Sequence, residues 1–506
     1  MKRSVNLVLC LALPLSTLAG CHRVDPVARF ADARQAFAAE DYGRARTAVL
    51  AALDADENNR DMLLLLARTD LALHDGDGAQ TALGRLRDAG AKGQDLTEMT
   101  AEAALLRGQG PEALRLLAGD QRPQAWRLRA AVAQADGDSG GALAAFRHGM
   151  EAGDDYALAA AYAHFLLEGG DLDEADRVLA IMRRLGPGRL DTLMTAGLIA
   201  QHKGQLDQAS AAFRQAADRF RTRPEPIVAL ADIADMQGHV DVAAGYAAKA
   251  NERAPGDPQV EALVVRVAAE KGEWQKVRDI LAPREDSLDV RTFEGLAYGE
   301  ALLNLGRPEQ ARAIYAKALL LSPQNPYARL MLAESQLAAG ASADALRTVR
   351  PLADSVLAGQ RELDLAVRAA QAASDPVAGA YAARLHSPQL AVNSALSGRA
   401  MAALARRDWP AVIEAYRAIP GYDNDAEVLK RMAEAETGLG RHDEAIATAD
   451  KALLLDPRNP DMLHMAGLVR LNAGRERDMA QSLMRKALEL DPSNRIFKAD
   501  YARAMN

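Results

Sequence analysis

The chain has 506 residues, a formal net charge of -8 and 26% charged residues, enough length for a large core but without the basic excess that nucleic-acid binding needs. Its two cysteines, Cys10 and Cys21, are too few for a disulfide framework or a cysteine metal site. An aromatic content of 4% argues against the stacking platforms that sugar binding favours.

The chain opens on Lys2 and Arg3, continues with an apolar stretch from Val5 to Thr17, and reaches the run Leu18-Ala19-Gly20-Cys21. A positive start, an apolar run too short to span a bilayer and small residues before a cut are the order of a secretory signal. Because the run ends on cysteine rather than Ala-x-Ala, it resembles the lipobox of bacterial lipoproteins. That resemblance implies removal of residues 1–20, lipidation of Cys21, and a short lipidated N-terminal linker over 21–25. His22, rather than Asp, follows the cysteine, which under the sorting rule of such lipoproteins implies the outer membrane, facing the periplasm. A diacylglycerol with an amide-linked chain anchors stably, where one acyl chain holds only marginally. No later apolar run is long enough to cross a membrane.

From Pro26 onward one pattern recurs. Units begin at Pro26, Arg60, Gln94, Pro123, Tyr156, Leu190, Pro224, Pro258, Thr292, Pro326, Val392, Ala426 and Pro460, with a weak unit near Gln360. The eighth position is small, as at Ala33, Ala67, Gly197, Gly299 and Ala433, which lets two helices approach closely. The twentieth is alanine, as at Ala45, Ala79, Ala209, Ala311 and Ala445, and larger apolar residues such as Phe146, Phe213 and Tyr315 follow it. Glycine at the fifteenth position, from Gly108 to Gly474, stops the first helix. Asp25-Pro26, Asp257-Pro258, Asn325-Pro326 and Asn459-Pro460 each place a capping side chain before proline at the first helical position.

Most steps are 34 residues, and the chain resembles the tetratricopeptide-repeat family over nearly all of its length after residue 25. The resemblance implies an all-α fold, a right-handed superhelical solenoid of about 13–14 helix-turn-helix repeats. The expected divisions are a solenoid over 26–359, degenerate repeats over 360–425 with turns at Ser374-Asp375-Pro376 and His386-Ser387-Pro388, repeats over 426–494, and a capping helix over 495–506. The third unit is short, and the last requires one extra residue between Arg475 and Met479.

Chemistry-bearing motifs are absent from the sequence. There is no His-Glu-x-x-His, no phosphate loop and no Gly-x-Ser-x-Gly, so neither catalysis nor a metal or other cofactor is expected. Trp274 and Trp409 fall in inter-helix turns, where repeat packing is the simpler reading. What remains is surface. In tetratricopeptide folds, positions two, five, nine and twelve of each unit line the concave groove; projected here, they include Arg34 and Arg68 near the start, then Asp232, Asp235, Glu300 and Glu334 with Arg266 between them. The resulting expectation is an acidic middle groove that takes a basic segment of a protein partner, without nucleic acid or a small-molecule substrate.

Such lipoproteins resemble envelope scaffolds of exopolysaccharide export, including alginate-type and exosortase-associated systems, and those of type IV or Tad pilus assembly. The number of repeats favours the export reading. An accessory subunit of a cell-envelope enzyme is the remaining alternative.

Overall fold

The computed structural model describes residues 25–505, so the lipobox and Cys21 lie outside the described residues. Among these residues there are 29 α-helices, two short 3-10 helices and no strand. The expected all-α fold is observed, and the helices pair into successive antiparallel hairpins.

The sequence register coincides with the helix starts. Helices begin at Pro26, Arg60, Gln94, Pro123, Tyr156, Leu190, Pro258, Pro326, Gln360, Ala426 and Pro460, while Pro224 and Thr292 serve as the residue just before their helices. Caps account for the starts: the Asp25, Asp257, Asn325 and Asn459 side chains each accept a backbone N–H from the first helical turn. All ten glycines at the fifteenth position have φ between 65° and 80°, the left-handed region that ends a helix at least cost in glycine. Four turns do without glycine and hold Glu40, His74, Ser374 and Arg407 at φ 54° to 58°.

Side chains confirm why the small positions are small. A Cβ on Gly197 would overlap the Phe213 ring, and one on Gly299 would lie 2.8 Å from Tyr315 Cζ. Ala45, Ala79, Ala209, Ala311 and Ala445 are all fully buried. Trp409 packs over Gly438, whose Cβ position its indole occupies, so this tryptophan belongs to the repeat interface.

The chain divides into two compact units, residues up to His239 with Glu252–Ala254, and Val240–Asn251 with Pro255 onward. The first unit buries Leu63, Leu83, Leu128 and Phe146, with Phe146 stacked on Tyr162 at 5.1 Å. Its third hairpin is short, the second helix spanning only Gly110–Leu116. The second unit is built around Tyr315, Tyr416 and the alanine layers between them.

Residues 360–417 also form helical hairpins, Gln360–Ala372 with Ala378–Leu385 and Pro388–Ala405 with Trp409–Arg417. The second of these starts four residues before Val392, because Ser387 caps the helix and Pro388 occupies its first position. Asp425 ties this stretch down: it caps the helix Ala426–Gly438 and also accepts the Ser355 hydroxyl (2.6 Å) and the Val356 N–H (3.0 Å). Near the C-terminus the extra residue is absorbed at Glu476, with φ 47°, and Arg470 bonds both Glu476 and Asp450 from a nearly buried position. The helix Arg495–Met505 covers the last hairpin through Phe497, which stacks on His464 at 4.5 Å and packs against Leu463 and Ala487.

Candidate partner-binding surface

The groove residues projected from the sequence fall in both units. Asp232 and Asp235 lie half-buried on the helix Glu225–Met236 of the first unit; Arg266, Glu300 and Glu334 lie on first helices of the second. Arg34 and Arg68 are exposed on the helices Pro26–Ala38 and Arg60–Ala72.

The carboxylates already have partners within the chain. The Tyr327 hydroxyl donates to Glu300 Oε2 at 2.7 Å, and Glu334 receives a two-pronged bond from Arg368 at 3.0 and 2.9 Å. Arg368 also holds Asp364 at 2.8 Å, so two carboxylates share one guanidinium. Asp232, Asp235 and Arg266 are engaged as well. Burial, reinforced by the bond to Glu300, pushes the Tyr327 hydroxyl above its usual range, so it keeps the proton that it donates to Glu300. Tyr315 braces it from behind, edge to face at 6.5 Å, while donating its own hydroxyl to the Leu296 carbonyl at 3.0 Å.

On the second unit this makes a face of matched charges and aromatic rings rather than a bare acidic strip. Phe293, at the second position of its repeat, is 48% exposed, and Arg361 at the equivalent position two repeats on reaches Met331 Sδ at 3.1 Å. The projection located Glu300 and Glu334 but missed Tyr327, Arg361 and Arg368. Tyr327 and Arg361 occupy position two and Arg368 position nine of their own repeats, so the same projection contained the signal. Trp274 is half-buried among apolar neighbours of its own hairpin and the next, and the polar groups beside it pair with each other, Lys276 with Glu273 and Gln275 with Asp279.

Among the described residues no group of three or more His, Cys, Asp or Glu side chains is placed to hold a metal, and no helix is long and apolar enough to cross a membrane.

Stacked helical hairpins with small residues at the crossing and left-handed turns between helices define a helical-repeat scaffold. Models of the tetratricopeptide repeat match residues 297–356 and 426–459. Cellulose synthase operon protein C of Pseudomonas fluorescens is 29% identical over 170 residues, 32% of this chain and 13% of that protein. Small glutamine-rich tetratricopeptide repeat-containing protein 2 of Mycosarcoma maydis is 32% identical over 101 residues, 20% of this chain and 28% of that protein. The chain thus spans less than a third of the length of either relative. Among solved structures, the Cut9–Hcn1 hetero-tetramer of the APC/C aligns over 96% of this chain and 97% of that one, at 17% identity and a TM-score of 0.38. Pseudomonas aeruginosa pilF aligns over 42% and 91%, at 20% identity and a TM-score of 0.33.

Proposed function

We propose that the protein is a non-catalytic scaffold, tethered through a lipid on Cys21 to the outer membrane and facing the periplasm, that binds protein partners of an exopolysaccharide-export assembly. The observation that carries the scaffold reading is the unbroken succession of helical hairpins between Pro26 and Leu490. Such an array offers a long surface and no separate module for chemistry. The lipobox Leu18-Ala19-Gly20-Cys21 supports the tether, and the likeness to cellulose synthase operon protein C supports a polysaccharide pathway.

In the second unit the partner segment is proposed to lie over Phe293, with basic side chains competing with Arg368 for Glu334 and with Tyr327 for Glu300. Salt-sensitive capture follows from such an exchange. Glu300→Lys with Glu334→Lys should weaken capture at low salt; unchanged capture would discard this groove.

The pathway and the tether are tested together by crosslinking in intact cells, followed by affinity capture from wild type and Cys21→Ser. Expected is one defined set of polysaccharide-export proteins, recovered from the membrane fraction and reduced in the variant. Unchanged fractionation of Cys21→Ser would refute the tether, and a set made of pilus components would replace the pathway.

A further inference from the structure

The first unit contacts itself across a long stretch of sequence. Glu40, in the turn between the helices Pro26–Ala38 and Tyr42–Leu53, lies 3.9 Å from the guanidinium of Arg189, which immediately precedes the helix Leu190–His202. These are the first and sixth hairpins of the chain. The Glu40 carboxylate also senses the charges of Arg219, Arg223 and Asp191, and Tyr42 shares this environment. Arg189 is held from its other side by stacking on Tyr156, 3.8 Å from the ring centroid, and Arg223 is fixed by Glu225 at 2.6 Å. The site is therefore a cluster of positioned arginines from the sixth and seventh hairpins facing one carboxylate from the first.

The backbone at Glu40 is an independent sign that the side chain matters. Its φ is 58°, at the turn position where ten other repeats place glycine. Glutamate pays a conformational cost there that glycine would not. Yet the side chain is only 14% exposed and pairs with Arg189, so the position combines an unfavourable backbone with a long-range ion pair. The second unit shows the same spacing of self-contact: the Ser493 hydroxyl lies 3.4 Å from the Leu321 carbonyl, joining the ends of hairpins five repeats apart.

We propose that Glu40 is a latch: by reaching Arg189 it holds the first hairpin against the sixth and sets how tightly the first unit curls. A repeat array is otherwise restrained only by nearest-neighbour interfaces, each of which gives a little. One contact that spans five repeats collects those small freedoms, so its loss lets the first hairpin swing away and opens the concave face of the unit. Arg189 is half exposed, and the latch is accordingly weakened by salt.

The test uses the full chain with Cys10→Ser and Cys21→Ser, carrying paired spin labels at Thr47→Cys and Arg214→Cys, both exposed positions within the first unit. Distances between them are measured by pulsed electron resonance. Expected is a narrow distribution at low salt that lengthens and broadens at about 1 M salt, where the screening length is about 3 Å. Glu40→Gly should give the lengthened distribution at any salt. Glu40→Gln, which keeps the side-chain volume and the backbone strain, should give it as well. His74→Gly, the same turn position one repeat on, controls for relief of strain and should leave the distance unchanged while slowing hydrogen exchange of the helices Arg60–Ala72 and Gly76–Asp88. Glu40→Gly or Glu40→Gln matching the wild-type distribution would overturn the latch. In that case Glu40→Gly behaving like His74→Gly would reduce Glu40 to a strained turn residue.

Discussion

Gly197→Ala gives opposite signs under two readings of the same residue. Considered as a glycine inside the helix Leu190–His202, its replacement by alanine should stabilise by about 1 kcal/mol through helix propensity. Considered as the floor beneath Phe213, it should destabilise, because the added methyl overlaps the ring and Phe213 is fully buried with nowhere to retreat. Overpacking of this kind costs about 1–3 kcal/mol, so the expected net is a loss of up to about 2 kcal/mol. Gly84→Ala is the matched control: nothing lies within 4 Å of its Cβ, and the propensity gain should appear undiminished. Long repeat arrays unfold in parts, so the readout is hydrogen exchange of the peptides covering Leu190–His202 and Leu206–Arg219 rather than one global melt. In a Phe213→Leu background the penalty should largely vanish, giving a coupling above about 0.5 kcal/mol. Faster exchange in Gly197→Ala supports the packing account; protection raised as in Gly84→Ala would refute it.

Three further outcomes follow from buried charge. Asp70 is almost fully buried, and burial pushes its carboxyl up to about 6, with Arg46 pulling it down and Asp75 adding to the rise. An acid whose folded value exceeds its unfolded one favours the folded state at low pH and loses that contribution as pH rises through 6, so the advantage of Asp70→Asn over wild type should grow between pH 4 and pH 7 in urea titrations. A constant difference between the two would contradict this. His464 is shifted the other way, chiefly by burial, with Asp500 opposing from 2.9 Å. Its stabilising contribution is present above the ordinary histidine range and lost as pH falls through its lowered value, so hydrogen exchange of residues 495–505 should accelerate selectively on acidification; equal acceleration along the whole second unit would exclude a local origin. Arg470→Ala removes charge-assisted bonds to Asp450 and Glu476 and should cost about 1.5–3 kcal/mol, seen as early unfolding of the last hairpin in urea.

The regular part of the fold was legible because each signal is local. An Asn before a proline, a glycine fifteen residues into a unit and a small residue at the eighth position each act within one hairpin, and the helices start where those residues stand. At Val392 the 34-residue period gave the wrong start, since the Ser387-Pro388 cap outweighs a spacing inherited from neighbouring repeats. The groove was only partly legible. Glu300 and Glu334 were found by position, but their charge is answered by Tyr327 and Arg368 from the following repeats, and pairings between repeats depend on how neighbours stack. Glu40 was invisible as a contact residue, because meeting Arg189 requires small rotations summed over five repeats that no single stretch of sequence encodes.

The eighth and twenty-fourth positions of the repeats can be compared across this one chain as a set of alternatives already tried. Gly197 faces Phe213 and Gly299 faces Tyr315, whereas Ala33 and Ala67 stand opposite the smaller Val49 and Leu83 in a shared cluster. Ala130 with Phe146 holds the largest total of these pairs. In the two glycine hairpins the space left on one helix is filled by a ring from the other, so there the two members depend on each other. An alanine borrowed from a neighbouring repeat should therefore be rejected at Gly197 or Gly299 while the ring stays, and accepted when a smaller twenty-fourth residue travels with it, even though each residue is native to this protein.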